Sequence, residues 1–287
     1  FWLTPIVENI HQNVGSATGG EYYAYRGYWA LNFEELTPHL GSLADFHELI
    51  GAAAEKGINI IVDVVLNHAG YGAEETFEGM VRTKEEDKQG DDQLGSLSGL
   101  PDFKTEEATV RNQLVAWQAS WLKRSTTAKG NSIYGFRVDT VKHVDDTTWQ
   151  HFKNELVDRD PDFHLIGETW GANYKDTKGD LGIGTMDSLL DFGFKDIAKY
   201  LVNGQLKAAG KELEERSKVL TSAASLGQFL GSHDEDGFLY SLGGAEKEGN
   251  LDKLKLAASL LITAKGQPVI YYGEELGQSG QNNWPVY

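Results

Sequence analysis

The 287-residue chain has no cysteine. Disulfides, thiolate metal sites and cysteine nucleophiles are therefore excluded, and the redox compartment is left undecided. No apolar run approaches the roughly 20 residues needed to span a bilayer as a helix. No basic-then-apolar leader opens the chain. Basic residues are scarce: 26 Lys and Arg stand against 43 Asp and Glu, a net charge of −17. That field repels a polyanion and no basic stripe is present, which argues against nucleic acid as a partner. The surplus acid reads as simple solubility, with a salty habitat or divalent-ion binding as alternatives. Neither an internal repeat nor a low-complexity tract is present. What remains is an ordinary globular balance, 40% hydrophobic and 24% charged, long enough for one barrel or two common domains.

Short apolar runs alternate with amphipathic stretches, the pattern of a parallel sheet with crossover helices. Runs at 1–6, 58–65, 133–139, 164–169, 186–192, 226–232 and 268–273 read as buried strands. Ser42 can cap a helix with Asp45 at its third position, and Phe46, Leu49, Ile50 and Ala53 form the buried stripe before Gly57 ends it. A second helix is expected over about 106–123, with Val110, Leu114, Trp117 and Trp121 at helical spacing. A third carries Trp149, Phe152 and Leu156. A fourth covers 251–265, with Leu254, Ala258 and Leu261 on one side. About seven strands result, one short of a closed (β/α)₈ barrel. From His68 to about Phe103 the chain is polar and Gly-rich with no clear period, a functional excursion by length alone.

Polar groups gather where the apolar runs end. Asp63, Asn67 and His68 follow one run. Arg137 and Asp139 end the next, Glu168 closes 164–168, and His233 and Asp234 follow 226–232. In a parallel barrel those ends converge on the face that carries chemistry. One such acid would serve as a helix cap or in a solvated loop. Several carboxylates converging would repel one another, a cost that a purely structural site has little reason to carry. Glycoside hydrolysis needs such a set: in a retaining mechanism one ionised carboxylate attacks and one protonated carboxyl acts as acid, then base. Arg137 points to the same side of its strand as Asp139 and can keep it ionised. Glu168, among other acids, would be driven toward the protonated form.

Taken in order, Asp63-Val64-Val65-Leu66-Asn67-His68, Gly135-Phe136-Arg137-Val138-Asp139-Thr140-Val141-Lys142-His143, Gly167-Glu168-Thr169-Trp170 and Ser232-His233-Asp234 resemble the four signature regions of the α-amylase family of glycoside hydrolases. Leu100-Pro101-Asp102 resembles a further short motif, and 268–274 resembles the last barrel strand. The resemblance implies a TIM (β/α)₈ barrel over 1–67 and 104–287, interrupted after the third strand by a domain B at 68–103. It implies that Asp139 is the nucleophile, Glu168 the acid/base, and Asp234 the carboxylate that grips and strains the sugar. Arg137 would orient Asp139, His68 and His233 would hydrogen-bond the sugar, and Tyr28 would stack beneath it. Lys142 and His143 would contact the leaving-group side, favouring an α-amylase over pullulanase and oligo-1,6-glucosidase branches. Asn67, Asp102 and the backbone carbonyl of His143 match a structural Ca²⁺ site, and hard oxygen ligands suit that ion. The resemblance further implies an α-glucan substrate and an extracellular or cell-surface location; it is silent on oligomeric state.

Read without the resemblance, Tyr28 and Trp29 are core aromatics and His143 is a satisfied histidine. Asp63 reads as structural support behind the site, and Asp91 and Asp92 as a solvated acidic turn, with further calcium ligands as the alternative. Trp170, Tyr174 and Trp284 are candidate sugar-stacking platforms. The chain departs from the family after Asp234, where Glu235-Asp236 replace the frequent Asn and Pro. The first barrel strand and last helix have no counterpart, so a longer natural protein is expected. Two rivals share the motifs: a transglycosylating relative, cyclodextrin-forming or maltogenic, and a non-catalytic glucan-binding or transporter-associated member. Retention of Asp139, Glu168 and Asp234 speaks against the second.

Overall fold

The computed structural model describes residues 1–15, 20–175, 185–220 and 226–281. The chain divides into two compact units, Phe1–Glu168 and Thr169–Tyr287.

In the first unit four short strands pair in parallel. They are β1 (Trp2–Leu3), β4 (Ile61–Val64), β5 (Gly135–Val138) and β6 (His164–Gly167), each beside the next, with Trp2 opposite Ile61, Asp63 opposite Arg137 and Val138 opposite Gly167. Between β1 and β4 lies an antiparallel pair, β2 (Val7–Asn9) and β3 (Ala30–Leu36). The expected strand at 1–6 is thus cut short, because Pro5 has no N–H for a ladder, and the chain turns into the β2–β3 pair instead.

The crossover helices are α1 (Leu43–Glu55), α2 (Ala108–Arg124) and α3 (Asp146–Arg159). Ser42 and Asp45 form the expected capping box at α1, and Gly57 follows its C-cap at φ +68°, a left-handed turn that suits glycine. Phe46, Ile50 and Ala53 are buried, whereas Leu49 is exposed. Behind β5, Phe136 stacks on Phe152 of α3 at 5.8 Å and meets Phe163 edge-on at 4.9 Å. Strand residues of alternate parity therefore face the helix layer (Phe136, Val138) or the strand-end polar cluster (Arg137), as a period of two requires. Gly135 is needed for that pairing: a Cβ there would meet the His164 carbonyl oxygen at 2.5 Å.

Segment 68–103 has turns and two isolated bridges, His68 with Asp102 and Val81 with Phe103. It is anchored at its base by Ala69 N–H donating to Pro101 O and Phe103 N–H to Asn67 O, both at 2.9 Å. Phe77 and Phe103 lie 5.2 Å apart beside Phe33 and Trp117, an aromatic cluster that joins the segment to β3 and α2.

In the second unit β7 (Ser188–Asp191), β8 (Leu226–Gln228) and β9 (Gln267–Pro268) are parallel, with Leu190 opposite Gly227 and Gln228 opposite Pro268. Its helices are α4 (Phe194–Val202), α5 (Leu206–Val219), α6 (Phe238–Ser241) and α7 (Asn250–Thr263). Phe194, Ala198, Leu230, Phe238, Ala257 and Leu261 form the core, so the buried alanine of α7 is Ala257 and not Ala258. A buried ion pair holds the last residues of β7 and β8, Arg216 Nε to Asp191 Oδ2 at 2.8 Å, with Arg216 Nη2 donating to Gln228 Oε1 at 2.9 Å.

Candidate active site

Arg137 organises the strand ends of the first unit. Its side chain is 1% exposed, yet it meets three carboxylates. Nη1 donates to Asp63 Oδ1 and Oδ2 at 3.0 and 2.9 Å and to Asp139 Oδ1 at 2.6 Å. Nη2 lies 2.8 Å from Glu168 Oε1. The parallel register explains the gathering. Asp63 and Arg137 are direct partners on β4 and β5, Asp139 comes one residue past β5, and Glu168 one residue past β6. Glu168 and Asp139 thus share one cation. The expectation that Glu168 sits simply among acids omitted that contact, because a sequence does not show which way a guanidinium fork reaches.

The backbone fixes both acids. Asp139 N–H donates to Val64 O at 3.0 Å, and Glu168 N–H donates to Val138 O at 2.8 Å. Thr140 sits in a left-handed conformation, φ 50° and ψ 43°, and its N–H donates to Glu168 Oε2 at 3.1 Å. Positive φ is uncommon for a β-branched residue; here it brings an N–H within reach of the Glu168 carboxylate.

Asp63 serves the support role expected of it. Besides Arg137 it accepts from Tyr28 Oη at 2.7 Å and Trp2 Nε1 at 3.1 Å. Trp2 and Tyr28 also present their rings to the Arg137 guanidinium, at 5.0 and 5.9 Å to the ring centres. Burial, then the Asp63 charge, pushes the Tyr28 hydroxyl well above its ordinary range, so it stays a donor. Burial alone would lower Arg137, but the surrounding carboxylates raise it well above its ordinary value. Trp2 is the site residue that sequence reading missed; its position on the first parallel strand was the available signal.

His68 is 3% exposed, and burial lowers it to about 4, with the Tyr28 backbone pulling upward and His143 downward. It is therefore a neutral imidazole near neutral pH. Lys142 Nζ and His143 Nδ1 face Asp92 Oδ1 at 3.6 and 3.9 Å, and His143 Nδ1 lies 2.8 Å from the Asp92 carbonyl oxygen. Asp92 therefore ties the 68–103 segment to the turn after β5, while Asp91 caps its own turn through Gln93 and Leu94 N–H.

In the second unit His233 Nε2 lies 3.0 Å from Asp234 Oδ2, and Asp234 N–H donates to Ser232 Oγ at 3.2 Å. The departing residue Glu235 is held by Lys195 at 3.2 Å, with both side chains mostly buried. Trp170 is 52% exposed and rests against Phe192 at 5.0 Å, which leaves ring surface available for stacking. Tyr174 does not: it is 6% exposed, and its hydroxyl donates to Glu212 and Glu215, so the platform expectation fails there. Trp284 lies outside the described residues.

The expected calcium ligands are brought together only in part. Asn67 and Asp102 are neighbours through the His68–Asp102 bridge. Asp102, however, is engaged: its Oδ2 accepts from Arg82 Nε at 2.8 Å. Burial pushes the Asp102 carboxyl up to about 7 against the pull of Arg82. Among the described residues no group of three or more His, Asp or Glu is placed to hold a metal. A donor set whose one carboxylate already pairs with a guanidinium does not fit a divalent ion.

Comparison with known proteins follows this geometry. The catalytic-domain model of the α-amylase family matches residues 1–92 and 94–285. The chain is 27% identical to neopullulanase 2 of Thermoactinomyces vulgaris over 279 residues, covering 90% of this chain and 45% of that protein. It is 26% identical to the periplasmic α-amylase of Escherichia coli, covering 96% of this chain and 52% of that one. The chain thus spans about half the length of these relatives. Among solved structures, the α-amylase of Geobacillus thermoleovorans complexed with acarbose superimposes with a TM-score of 0.80 at 29% identity, covering 98% of this chain and 62% of that one. Strand order, strand-end carboxylates and family match agree on one fold, the α-amylase catalytic barrel, of which these residues form part. The chain belongs to the α-amylase family of glycoside hydrolases.

Proposed function

We infer that the protein hydrolyses internal α-1,4-glucosidic bonds of starch-like glucans with retention of anomeric configuration. The observation that carries this reading is the single buried guanidinium of Arg137 holding both Asp139 and Glu168 at adjacent strand ends. Two close carboxyl groups on one face are what a double-displacement glycosidase requires. In this reading Glu168 protonates the glycosidic oxygen while Asp139 attacks the anomeric carbon. The glycosyl–Asp139 ester then forms as the leaving sugar departs, and Glu168 takes a proton from the water that cleaves it. Arg137 orients the nucleophile and stabilises its charge before attack. Neutral His68, beside the site, hydrogen-bonds a sugar hydroxyl without adding charge, and Tyr28 offers its ring beneath the sugar. Asp234 and His233 supply further sugar contacts, with Trp170 a platform, and Lys142 and His143 serve the leaving-group side. The 68–103 segment acts as the domain B of the family. A periplasmic relative supports a location outside the cytoplasm.

A second reading, a transglycosylating enzyme of the cyclodextrin-forming or maltogenic kind, is favoured by a maltogenic α-amylase relative of Bacillus acidopullulyticus, 24% identical over 97% of this chain. Glu168→Gln in the full-length protein tests what the readings share: kcat should fall by roughly 10³-fold or more with glucan binding retained. Unchanged turnover would refute the assigned role. Products from amylose then separate the two, linear maltooligosaccharides supporting hydrolysis and cyclic products the alternative.

A further inference from the structure

Arg82 lies in the 68–103 segment, pairs with other carboxylates than those held by Arg137, and is 6% exposed at its side chain. Its Nε donates to Asp102 Oδ2 at 2.8 Å, and Nη1 and Nη2 donate to Glu106 Oε1 and Oε2 at 2.8 and 2.6 Å. Asp102 belongs to the base of the segment, and Glu106 stands two residues before α2. One guanidinium therefore joins the excursion to its own returning end and to the entry of a barrel helix. We propose that Arg82 stands in for a structural calcium ion here, supplying as a side chain the positive charge that fastens the 68–103 segment to the barrel.

Three observations support the replacement. The charge is already present where an ion would be needed, since Asp102 is the one ionisable side chain in the expected ligand set of Asn67, Asp102 and the His143 carbonyl, and it is 2% exposed. A divalent ion within bonding distance of Asp102 would sit a few ångströms from the guanidinium, and two like charges that close in a buried setting repel strongly. The geometry is also that of a dedicated clamp. The pairing with Glu106 is bidentate, the fork-to-fork arrangement that arginine makes and lysine cannot. Finally, the backbone sets Arg82 in register with its partner: Arg82 N–H donates to Asp102 O at 2.8 Å, next to the Val81–Phe103 bridge. The clamp has a consequence for the site, because the same Asp102 bridges His68. Fixing Asp102 therefore also holds its bridge partner His68, which meets the Tyr28 backbone.

The test compares calcium uptake and thermal unfolding in the full-length protein. Equilibrium dialysis against millimolar calcium chloride should give equal calcium per chain for the wild type and Asp102→Asn. Arg82→Met should lower Tm by roughly 5 °C in chelator, as expected when a buried carboxylate loses its partner. Should Arg82→Met fail to fold, Arg82→Lys decides in its place: it keeps the charge but loses the fork, and should still lower Tm. Loss of one bound calcium in Asp102→Asn relative to the wild type would overturn the proposal. So would an unchanged Tm in the arginine variant that folds.

Discussion

Arg137 shows how much one residue can decide. It contacts three buried carboxyl groups at once, so its removal strips them of their shared counter-charge in a setting where an unpaired charge is expensive. Arg137→Lys keeps the charge but cannot span Asp63, Asp139 and Glu168 at once. The variant should lose about 3 kcal/mol in denaturant unfolding, and its kcat should fall roughly hundredfold through misplacement of Asp139, with KM little changed. A variant with wild-type stability and kcat would remove Arg137 from the account. Glu274 shows a cost of the opposite kind. It is 8% exposed, Tyr271 N–H donates to its Oε2 at 3.2 Å, and its Oε1 has no hydrogen-bond partner among the described residues. Burial, with Glu275 adding to it, pushes its carboxyl from 4.5 to about 7. The unfolded chain therefore ionises first as pH rises, and stability is lost between about pH 4.5 and 7. Glu274→Gln should gain about 2 kcal/mol at pH 8 and nothing at pH 4, measured by urea unfolding. An equal effect at both pH values would contradict the assignment.

At the scale of elements, local chemistry was legible wherever it was self-contained. The Ser42–Asp45 capping box needs only four residues, and both of its bonds are present, Asp45 N–H to Ser42 Oγ at 3.3 Å and Ser42 N–H to Asp45 Oδ2 at 2.7 Å. Ser42→Ala should cost about 1 kcal/mol in thermal or denaturant unfolding; a neutral result would show that α1 is held by packing alone. Elements that depend on distant partners were not legible. The pair β2–β3 carries Asn9, Asn32 and Glu34 in place of a clean alternation, and it forms because Trp121 Nε1 donates to Phe33 O at 2.9 Å and Phe33 packs in the aromatic cluster. Helix α4 has a stripe in Phe194, Ile197, Ala198 and Val202, but it starts two residues after the apolar run 186–192 with no side-chain cap to mark its beginning. Helix α5 is rich in charge and buries only Ala209 and Arg216, so periodicity gave little to find.

At the largest scale, the parallel-strand logic brought Asp63, Asp139 and Glu168 of the first unit together, because residues at the ends of neighbouring parallel strands share a face. It placed Arg137 beside Asp139 but not the further reach of the cations. Arg137 reaching Glu168 and Arg82 taking Asp102 both depend on where long flexible side chains point, which no spacing encodes. The net charge of −17 leaves a neutral glucan unhindered, and no helix among the described residues is long and apolar enough to cross a membrane. The central claim is that Asp139 and Glu168, held on one guanidinium, perform a double displacement. Proton NMR of the sugar first released from a maltooligosaccharide by the full-length protein tests it directly. The account predicts that the new reducing end appears as the α-anomer and only then mutarotates; first appearance of the β-anomer would contradict it.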